Sequence, residues 1–186
     1  MAKTSCLSAV CLALFAASSY AADVRPAIVV GADFGGEKII TVTFTNGDTQ
    51  SIRANQGLYV GGGVSVLSDD KNIEFLGTVN YKYAGISAEN GNVTWTRIPI
   101  DALLFYREEK FRVGGGLTYV VNPTLKVTGI PGGGTVDVND AVGLLLQADY
   151  LLGKVNIGVR GTFITYKAGG QTASGNGGGI TFGYTF

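Results

Sequence analysis

The sequence predicts an all-β protein folded as an eight-stranded antiparallel up-and-down transmembrane β-barrel. Three observations lead to this fold class. Segments of about ten residues alternate in polarity and are separated by turn residues. The connections between these segments alternate between short and long. The last segment ends the chain on the aromatic Phe186, and its large apolar side chains share one face. Short turns at one end of the strands and long loops at the other are typical of barrels that cross a membrane.

The first 21 residues predict a cleaved signal peptide. Lys3 supplies the positive charge, Leu7 to Ala17 form the uncharged run, and Ser19-Tyr20-Ala21 supplies the cleavage motif. The uncharged run is shorter than the roughly 20 residues that a membrane-spanning helix needs. We therefore expect two parts, a signal peptide at 1–21 and a β-barrel domain at 22–186.

Eight strands can be placed by the two-residue period of their side chains. The fifth is the clearest, because Phe111, Val113 and Leu117 share one face while Arg112 and Thr118 share the other. The expected strands are residues 26–34, 57–67, 73–83, 93–106, 111–121, 141–152, 154–166 and 177–186.

The connections divide into two kinds. Those after the second, fourth and sixth strands are short and polar, whereas those after the first, fifth and seventh are long and rich in Gly, Thr and Asn. The connection after the third strand, around Glu89-Asn90-Gly91-Asn92, is shorter than its counterparts but contains an Asn-Gly hairpin signal. The first long loop contains its own hairpin pattern, in which 39–45 and 49–53 flank Asn46-Gly47-Asp48. Residues 38–54 could form either a hairpin within this loop or a ninth and tenth barrel strand. We prefer eight strands, since both chain ends then lie on the side of the short turns.

The inward faces of the strands carry four acidic and four basic side chains. They are Asp33, Glu74, Lys82, Arg97, Asp101, Arg112, Asp149 and Arg160. An eight-stranded barrel is just wide enough for its side chains to fill it, and isolated charges in such an interior cost several kcal/mol each. We therefore predict a paired plug, an ion-pair cluster in the lumen. Four members close to short turns are expected at that end: Glu74, Asp101, Arg112 and Asp149. Arg97 and Arg160 are expected nearer the middle.

Two residues depart from the strand pattern. Trp95 has inward parity although it is large and apolar, so it is expected to fill the upper lumen or a widened mouth. Pro99 lies inside a strand that has no free edge in a closed barrel, and its missing N–H predicts a β-bulge there.

Composition excludes several classes of function. The chain carries 14 basic and 14 acidic residues, so it has no positive field to attract nucleic acid. It contains no histidine, and its two cysteines, Cys6 and Cys11, lie in the predicted signal peptide. No Gly-x-Ser-x-Gly motif is present, and Gly169 to Gly179 lacks the Gly-Lys-Ser/Thr of a phosphate-binding loop. We therefore predict that the protein is not an enzyme and has no catalytic, cofactor-binding or metal site.

These features resemble the small eight-stranded outer-membrane barrels of the OmpA/OmpX and OmpW kind, the outer membrane β-barrel domain proteins. The resemblance rests on the signal peptide, the strand count, the loop asymmetry and the terminal Tyr184-Thr185-Phe186. It implies a location in the outer membrane of a Gram-negative bacterium, contact with outer-membrane lipid, and recognition of Tyr184 and Phe186 by the barrel-assembly machinery. Two members of this architecture modify lipid A, and both depend on a catalytic histidine that this chain lacks.

Three functions are compatible with the pattern. The first is a non-enzymatic outer-membrane barrel with a plugged polar lumen, whose extracellular loops serve a structural role or bind an unidentified surface ligand. The second is a small OmpW-like channel for small apolar compounds, which requires an apolar and unblocked upper cavity. The third is a secreted lipocalin-like binder, which requires an apolar interior and charged side chains outside.

Overall fold

The computed structural model describes residues 23–44, 46–88, 91–129 and 133–186. The predicted signal peptide lies outside these residues. The described residues form twelve strands: β1 Asp23–Gly35, β2 Lys38–Thr43, β3 Thr49–Arg53, β4 Gly57–Leu67, β5 Ile73–Ala88, β6 Gly91–Arg107, β7 Phe111–Thr128, β8 Gly134–Asp137, β9 Ala141–Leu152, β10 Val155–Ala168, β11 Gln171–Ser174 and β12 Gly177–Thr185. No helix in the described part of the chain is both long enough and apolar enough to cross a bilayer.

Eight of these strands close into an antiparallel barrel, which confirms the predicted fold class. The order around the wall is β1, β4, β5, β6, β7, β9, β10 and β12, and β12 pairs back with β1. Strands that follow one another around the wall are joined by short turns at one end, here called the turn end. At the opposite end, here called the loop end, the connections after β1, β7 and β10 are long, whereas the connection after β5 spans only residues 89–90. The predicted strand positions agree closely, except that β5, β7 and β10 continue further towards the loop end.

Two short strands that the sequence did not predict make the wall taller at the loop end. β8 pairs with β7 in the register of β9, with Leu125 opposite Val136. β11 pairs with β10 in the register of β12, with Thr165 opposite Ser174. Each is a continuation of a barrel strand after a short interruption.

The hairpin in the first long loop is separate from the barrel wall. β2 and β3 pair only with each other among the described strands, as a two-stranded sheet. The turn between them contains Gly47, whose φ of 88° lies in the left-handed region that glycine adopts readily. Residues 38–54 therefore contain a loop hairpin and contribute no ninth or tenth barrel strand.

The barrel is apolar outside. Inside, at the turn end, charged and amide side chains lie beside a small apolar cluster of Ala27, Leu76, Leu103, Phe105 and Leu145. In β9 the burial alternates at every residue, so that Leu146 is 58% exposed while its neighbour Gln147 is 4% exposed. This is the reverse of the arrangement that a lipocalin-like binder requires. Exposed aromatic side chains lie near both ends of the outer face: Tyr81, Tyr83, Tyr106, Phe111, Tyr119, Tyr150, Tyr184 and Phe186.

A β-bulge lies close to Pro99 but not at it. The register between β6 and β7 shifts between Thr96 and Ile98, where β7 holds the additional residue. Asn122, in this stretch of β7, has a φ of 49°, a left-handed conformation that asparagine tolerates better than most residues. The sequence predicted that the strand would end at 121. The bulge instead lets β7 continue to Thr128.

Glycines on the inner face let neighbouring strands approach closely. A side chain added at Gly63 would overlap the carbonyl oxygen of Gly77, and one added at Gly116 would overlap that of Ala102. Both glycines have negative φ, so the requirement comes from the strong curvature of a narrow barrel and not from backbone conformation.

Candidate functional site

At the turn end, one arginine bridges two carboxylates inside the lumen. Arg112 donates from Nη1 to Glu74 Oε1 at 2.5 Å and from Nε to Asp149 Oδ2 at 2.6 Å. Glu74 also accepts hydrogen bonds from Arg107 and from the Ser65 hydroxyl, each at 2.7 Å. Arg112, Glu74 and Asp149 are all at most 3% exposed, so these are charge-assisted hydrogen bonds away from water.

The network continues upwards through an amide side chain. Gln147 donates to Asp149 at 3.0 Å and accepts from Arg160 Nε at 3.0 Å. Arg160 then donates from Nη1 to Asp101 Oδ2 at 3.0 Å, and Asn80 donates to the same oxygen at 3.0 Å. A connected set of polar side chains therefore extends from the turn end to the middle of the lumen.

Asp101 occupies a different position from the one predicted. We expected it beside Arg112 at the turn end, but it lies opposite Thr118 on β7, six positions along the strand from Arg112, and its ion pair is with Arg160. Proximity in sequence to a short turn was a poor guide, because β6 is long and Asp101 lies well inside it.

Near the loop end, a segment of the first long connection lies across the lumen. Arg97 donates to the main-chain carbonyls of Ala54 and Gln56, both at 2.5 Å, and Trp95 Nε1 donates to Ala54 O at 3.2 Å. Lys82 donates to Asn55 Oδ1 at 3.1 Å. We call residues 54–56 the crossing segment.

The basic side chains next to the crossing segment differ in their partners. Lys82 forms an ion pair with Asp33 at 2.5 Å. Arg97, which we expected within an ion-pair cluster, is 1% exposed and forms no ion pair with any described carboxylate. Its charge is instead solvated by the two carbonyl oxygens, and its guanidinium carbon lies 5.0 Å from the centre of the Trp95 ring.

The space left inside the lumen is small. A chamber of about 20 Å³ in the middle of the barrel and another of about 20 Å³ at the turn end each have room for roughly one water molecule. Side chains that line the central chamber include Asp33, Tyr59, Asn80, Asp101 and Arg160.

Above the crossing segment the interior changes from polar to apolar. Trp95 packs edge-to-face on Tyr166, with ring centres 5.7 Å apart, and both are at most 5% exposed. The β2–β3 hairpin folds over them and contributes Ile52 to this cluster, with its other apolar side chains packed around it. Those side chains are Ile39, Ile40, Val42 and Phe44.

Beside the hairpin a cleft of about 710 Å³ opens at the loop end. We call it the loop-end cleft. Trp95 and Tyr166 form its floor, and its walls are mostly apolar. The wall residues are Ile39 of β2, Leu125 of β7, Val136 of β8, Ala173 of β11, and Val138, which follows β8. The rim residues are Glu37, Lys38, Lys167, Ala168, Gln171 and Thr172.

Sequence reasoning missed the loop-end cleft. Its lining residues come from six different strands and their connections, and two of those strands, β8 and β11, were not predicted. The inward parity of Trp95 was the single signal in the sequence, because a large aromatic side chain inside a narrow barrel needs apolar neighbours.

Comparisons with known proteins identify the fold. No protein-family model matches the chain, and no curated protein matches it. Among solved structures, the chain is similar to the Ail protein of Yersinia pestis in complex with the heparin analogue sucrose octasulfate, with 12% identity over 89% of this chain and 99% of that chain and a TM-score of 0.52. A second Ail structure (10% identity, 88% and 97% covered, TM-score 0.46) and Neisserial surface protein A (14% identity, 88% and 96% covered, TM-score 0.47) are also similar. The chain has the fold of the small eight-stranded outer-membrane β-barrels.

Proposed function

We propose that the protein is a non-enzymatic outer-membrane barrel with a closed lumen, and that it makes surface interactions through its loop end. The observation that carries the proposal is the connected set of side chains from Glu74 to Asp101, capped by the crossing segment. In this proposal the six lumen residues named from the sequence hold the interior shut. They are Glu74, Arg97, Asp101, Arg112, Asp149 and Arg160.

The location is supported by the outer face of the barrel. Leu104, Leu144 and Val159 are each more than half exposed, which suits contact with lipid and not with water. Tyr184 and Phe186 lie on this outer face, with ring centres 4.9 Å apart. We assign them to the signal that the barrel-assembly machinery reads, and we assign residues 1–21 to a cleaved signal peptide.

A structural role for the lumen charges is supported by their partners. Arg112 pairs with two carboxylates and Arg160 with one, and both arginines are at most 7% exposed. A barrel that performed acid–base chemistry in its lumen would need such groups to face a substrate-sized space.

The loop end offers no strong positive field for a polyanion. Ail is in complex with a heparin analogue. In this chain the described loop-end residues include four basic side chains, which are Lys38, Arg53, Lys126 and Lys167, and four acidic ones, which are Glu37, Asp48, Asp137 and Asp140. A sulfated glycan requires a net positive surface, so we favour the loop-end cleft as the interaction site.

The alternative of a channel for small apolar compounds is favoured by one observation, the apolar loop-end cleft itself. A channel requires that the cleft continue into the lumen or through the wall. The crossing segment and the ion pairs below it argue against a path through the lumen.

Location is tested by cell fractionation followed by a gel of unheated and heated samples. We expect the protein in the outer-membrane fraction, migrating anomalously until it is heated, as folded membrane barrels do. Deletion of Phe186 should lower the amount of folded protein in that fraction. Normal amounts of the folded deletion variant would contradict the assigned assembly signal.

Closure is tested by planar-bilayer recording of purified, monodisperse protein. We expect no stable open state from the wild type, because both chambers in the lumen hold only about one water each. A reproducible large conductance would overturn the closed-lumen proposal and support the channel.

A further inference from the structure

The loop-end cleft has the size and lining of a small-molecule site. Its volume of about 710 Å³ lies within the range of about 300–1,000 Å³ that is typical of ligand pockets. Trp95 and Tyr166 close it below with little of either ring exposed, so a molecule that enters meets mainly the apolar walls of the cleft. The inference rests on the function proposed above, because a closed lumen means that the cleft does not continue below its floor.

The rim of the cleft is positively charged. Lys38 and Lys167 both lie on it, and neither forms an ion pair within the described residues. Glu37 is the acidic residue on the rim, and its Oε2 accepts a hydrogen bond from the Ser174 main-chain N–H at 2.6 Å. This bond fixes the Glu37 carboxylate at the edge of β11, and with its charge included the three charged rim side chains, Glu37, Lys38 and Lys167, sum to +1.

Asp137 lies next to the cleft in sequence but does not line it. Val136, in β8, and Val138, just after β8, both line the cleft, whereas Asp137 between them does not, as the alternation of side chains along an extended chain predicts. The walls therefore contribute apolar surface, and the net charge at the entrance is positive.

We infer that the loop-end cleft binds a small amphipathic anion, a molecule with one apolar chain or ring system and a single anionic head group. The apolar part would lie between the walls, which include Ile39, Leu125 and Val136, with its end above Trp95, and its removal from water supplies most of the affinity. The head group would stay at the rim beside Lys38 and Lys167, which remain in contact with water. A neutral apolar compound would leave the two lysines without a role, and a polymeric anion would not fit below the rim.

The single tryptophan of the chain provides a direct probe, because Trp95 forms the cleft floor. We suggest titrating the mature chain in phospholipid nanodiscs with 12-bromododecanoate, whose terminal bromine quenches tryptophan on contact. The matched neutral probe is 12-bromododecan-1-ol. We expect saturable quenching by the carboxylate, at a concentration about tenfold lower than any quenching by the alcohol.

Two sets of variants assign the quenching to the cleft. The double variant Lys38→Gln with Lys167→Gln should weaken carboxylate binding by about tenfold, while Lys126→Gln, at an exposed lysine outside the cleft, should leave it unchanged. Ala173→Phe places a ring inside the cleft and should weaken saturable quenching by both probes.

Several outcomes would overturn the inference. Equal quenching by the carboxylate and the alcohol, with no effect of the lysine substitutions, would indicate a neutral apolar site. Non-saturating quenching that persists in Ala173→Phe would mean that the probe acts only from the bilayer. Neither result bears on closure of the lumen, which the bilayer recording measures separately.

Discussion

The two halves of the lumen share one wall but are filled in different ways. In the lower half, next to the short turns, Arg112 and Arg160 are paired with carboxylates, and the chambers found among the described side chains in the middle and at the turn end hold about 20 Å³ each. In the upper half, Trp95, Tyr166 and the β2–β3 hairpin form an apolar cluster beside a cleft of about 710 Å³. The crossing segment separates the halves.

This contrast follows from where the filling groups originate. The lower half is filled by the barrel strands. Their inward positions combine an apolar cluster, which includes Leu76, Leu103 and Phe105, with charged and amide side chains that must satisfy one another in a narrow space. The upper half is partly filled by a loop hairpin that brings its own apolar side chains, so the barrel residues opposite it can be apolar as well. Closure of the lower half of the lumen thus depends on charge pairing. Closure of the upper half depends on packing and on the carbonyl contacts of residues 54–56.

The largest expected effect is at the centre of the lower half. Arg112→Ala leaves Glu74 and Asp149 without their shared partner and should lower the free energy of unfolding by about 3–5 kcal/mol. A denaturant titration in lipid vesicles measures this change.

Arg107→Ala is the matched control for Arg112→Ala. Arg107 pairs with the same Glu74, but its side chain is 26% exposed, so its loss should cost about 1 kcal/mol or less. Equal losses for the two variants would show that the lower half is not a dry ion-pair network.

The second-largest expected loss of stability is on the outer face of the barrel, which both halves share. Leu146→Arg places a charge on the lipid side of β9, in the middle of the strand, and should destabilise the barrel by about 2–4 kcal/mol. Leu152→Arg lies on the same face at the turn end of the same strand and should cost about 0–1 kcal/mol. If the two variants unfolded at the same denaturant concentration, our placement of β9 in the membrane would be wrong.

A smaller effect is expected at the boundary between the halves. Arg97→Met removes the hydrogen bonds to Ala54 and Gln56 and should cost about 1–3 kcal/mol. Hydrogen exchange of the Ala54 and Asn55 amides should become faster, since the crossing segment loses its main anchor. Arg53→Met, which removes an exposed contact to Gly36 O, serves as the control and should change this exchange little.

Local patterns were sufficient for the wall of the barrel. Alternation placed Leu146 outside and Gln147 inside, and the structure confirms the eight-stranded fold with nearly the predicted strand positions. The Asn46-Gly47 signal likewise located the turn of the β2–β3 hairpin. These properties depend on neighbouring residues in one strand or turn, which is why a single sequence contains them.

Contacts across the lumen could not be predicted from local sequence patterns. The partner of Asp101 depends on how far each strand is staggered around the barrel. The continuation of β7 beyond Asn122 depends on a bulge, which the alternation of side chains does not indicate. The loop-end cleft requires β8 and β11, four residues each, which are too short to show an alternating pattern.

Cysteine accessibility tests the division of the lumen most directly, because residues 23–186 contain no cysteine of their own. Single cysteines at Leu125 and Ala173 lie on the loop-end cleft, whereas those at Thr118 and Thr162 lie on the central chamber below the crossing segment. A charged, membrane-impermeant thiol reagent applied to the reconstituted barrel should modify the first pair readily and leave the second pair unmodified. Modification of Thr118→Cys or Thr162→Cys at the rate of Ala173→Cys would contradict a closed lower lumen.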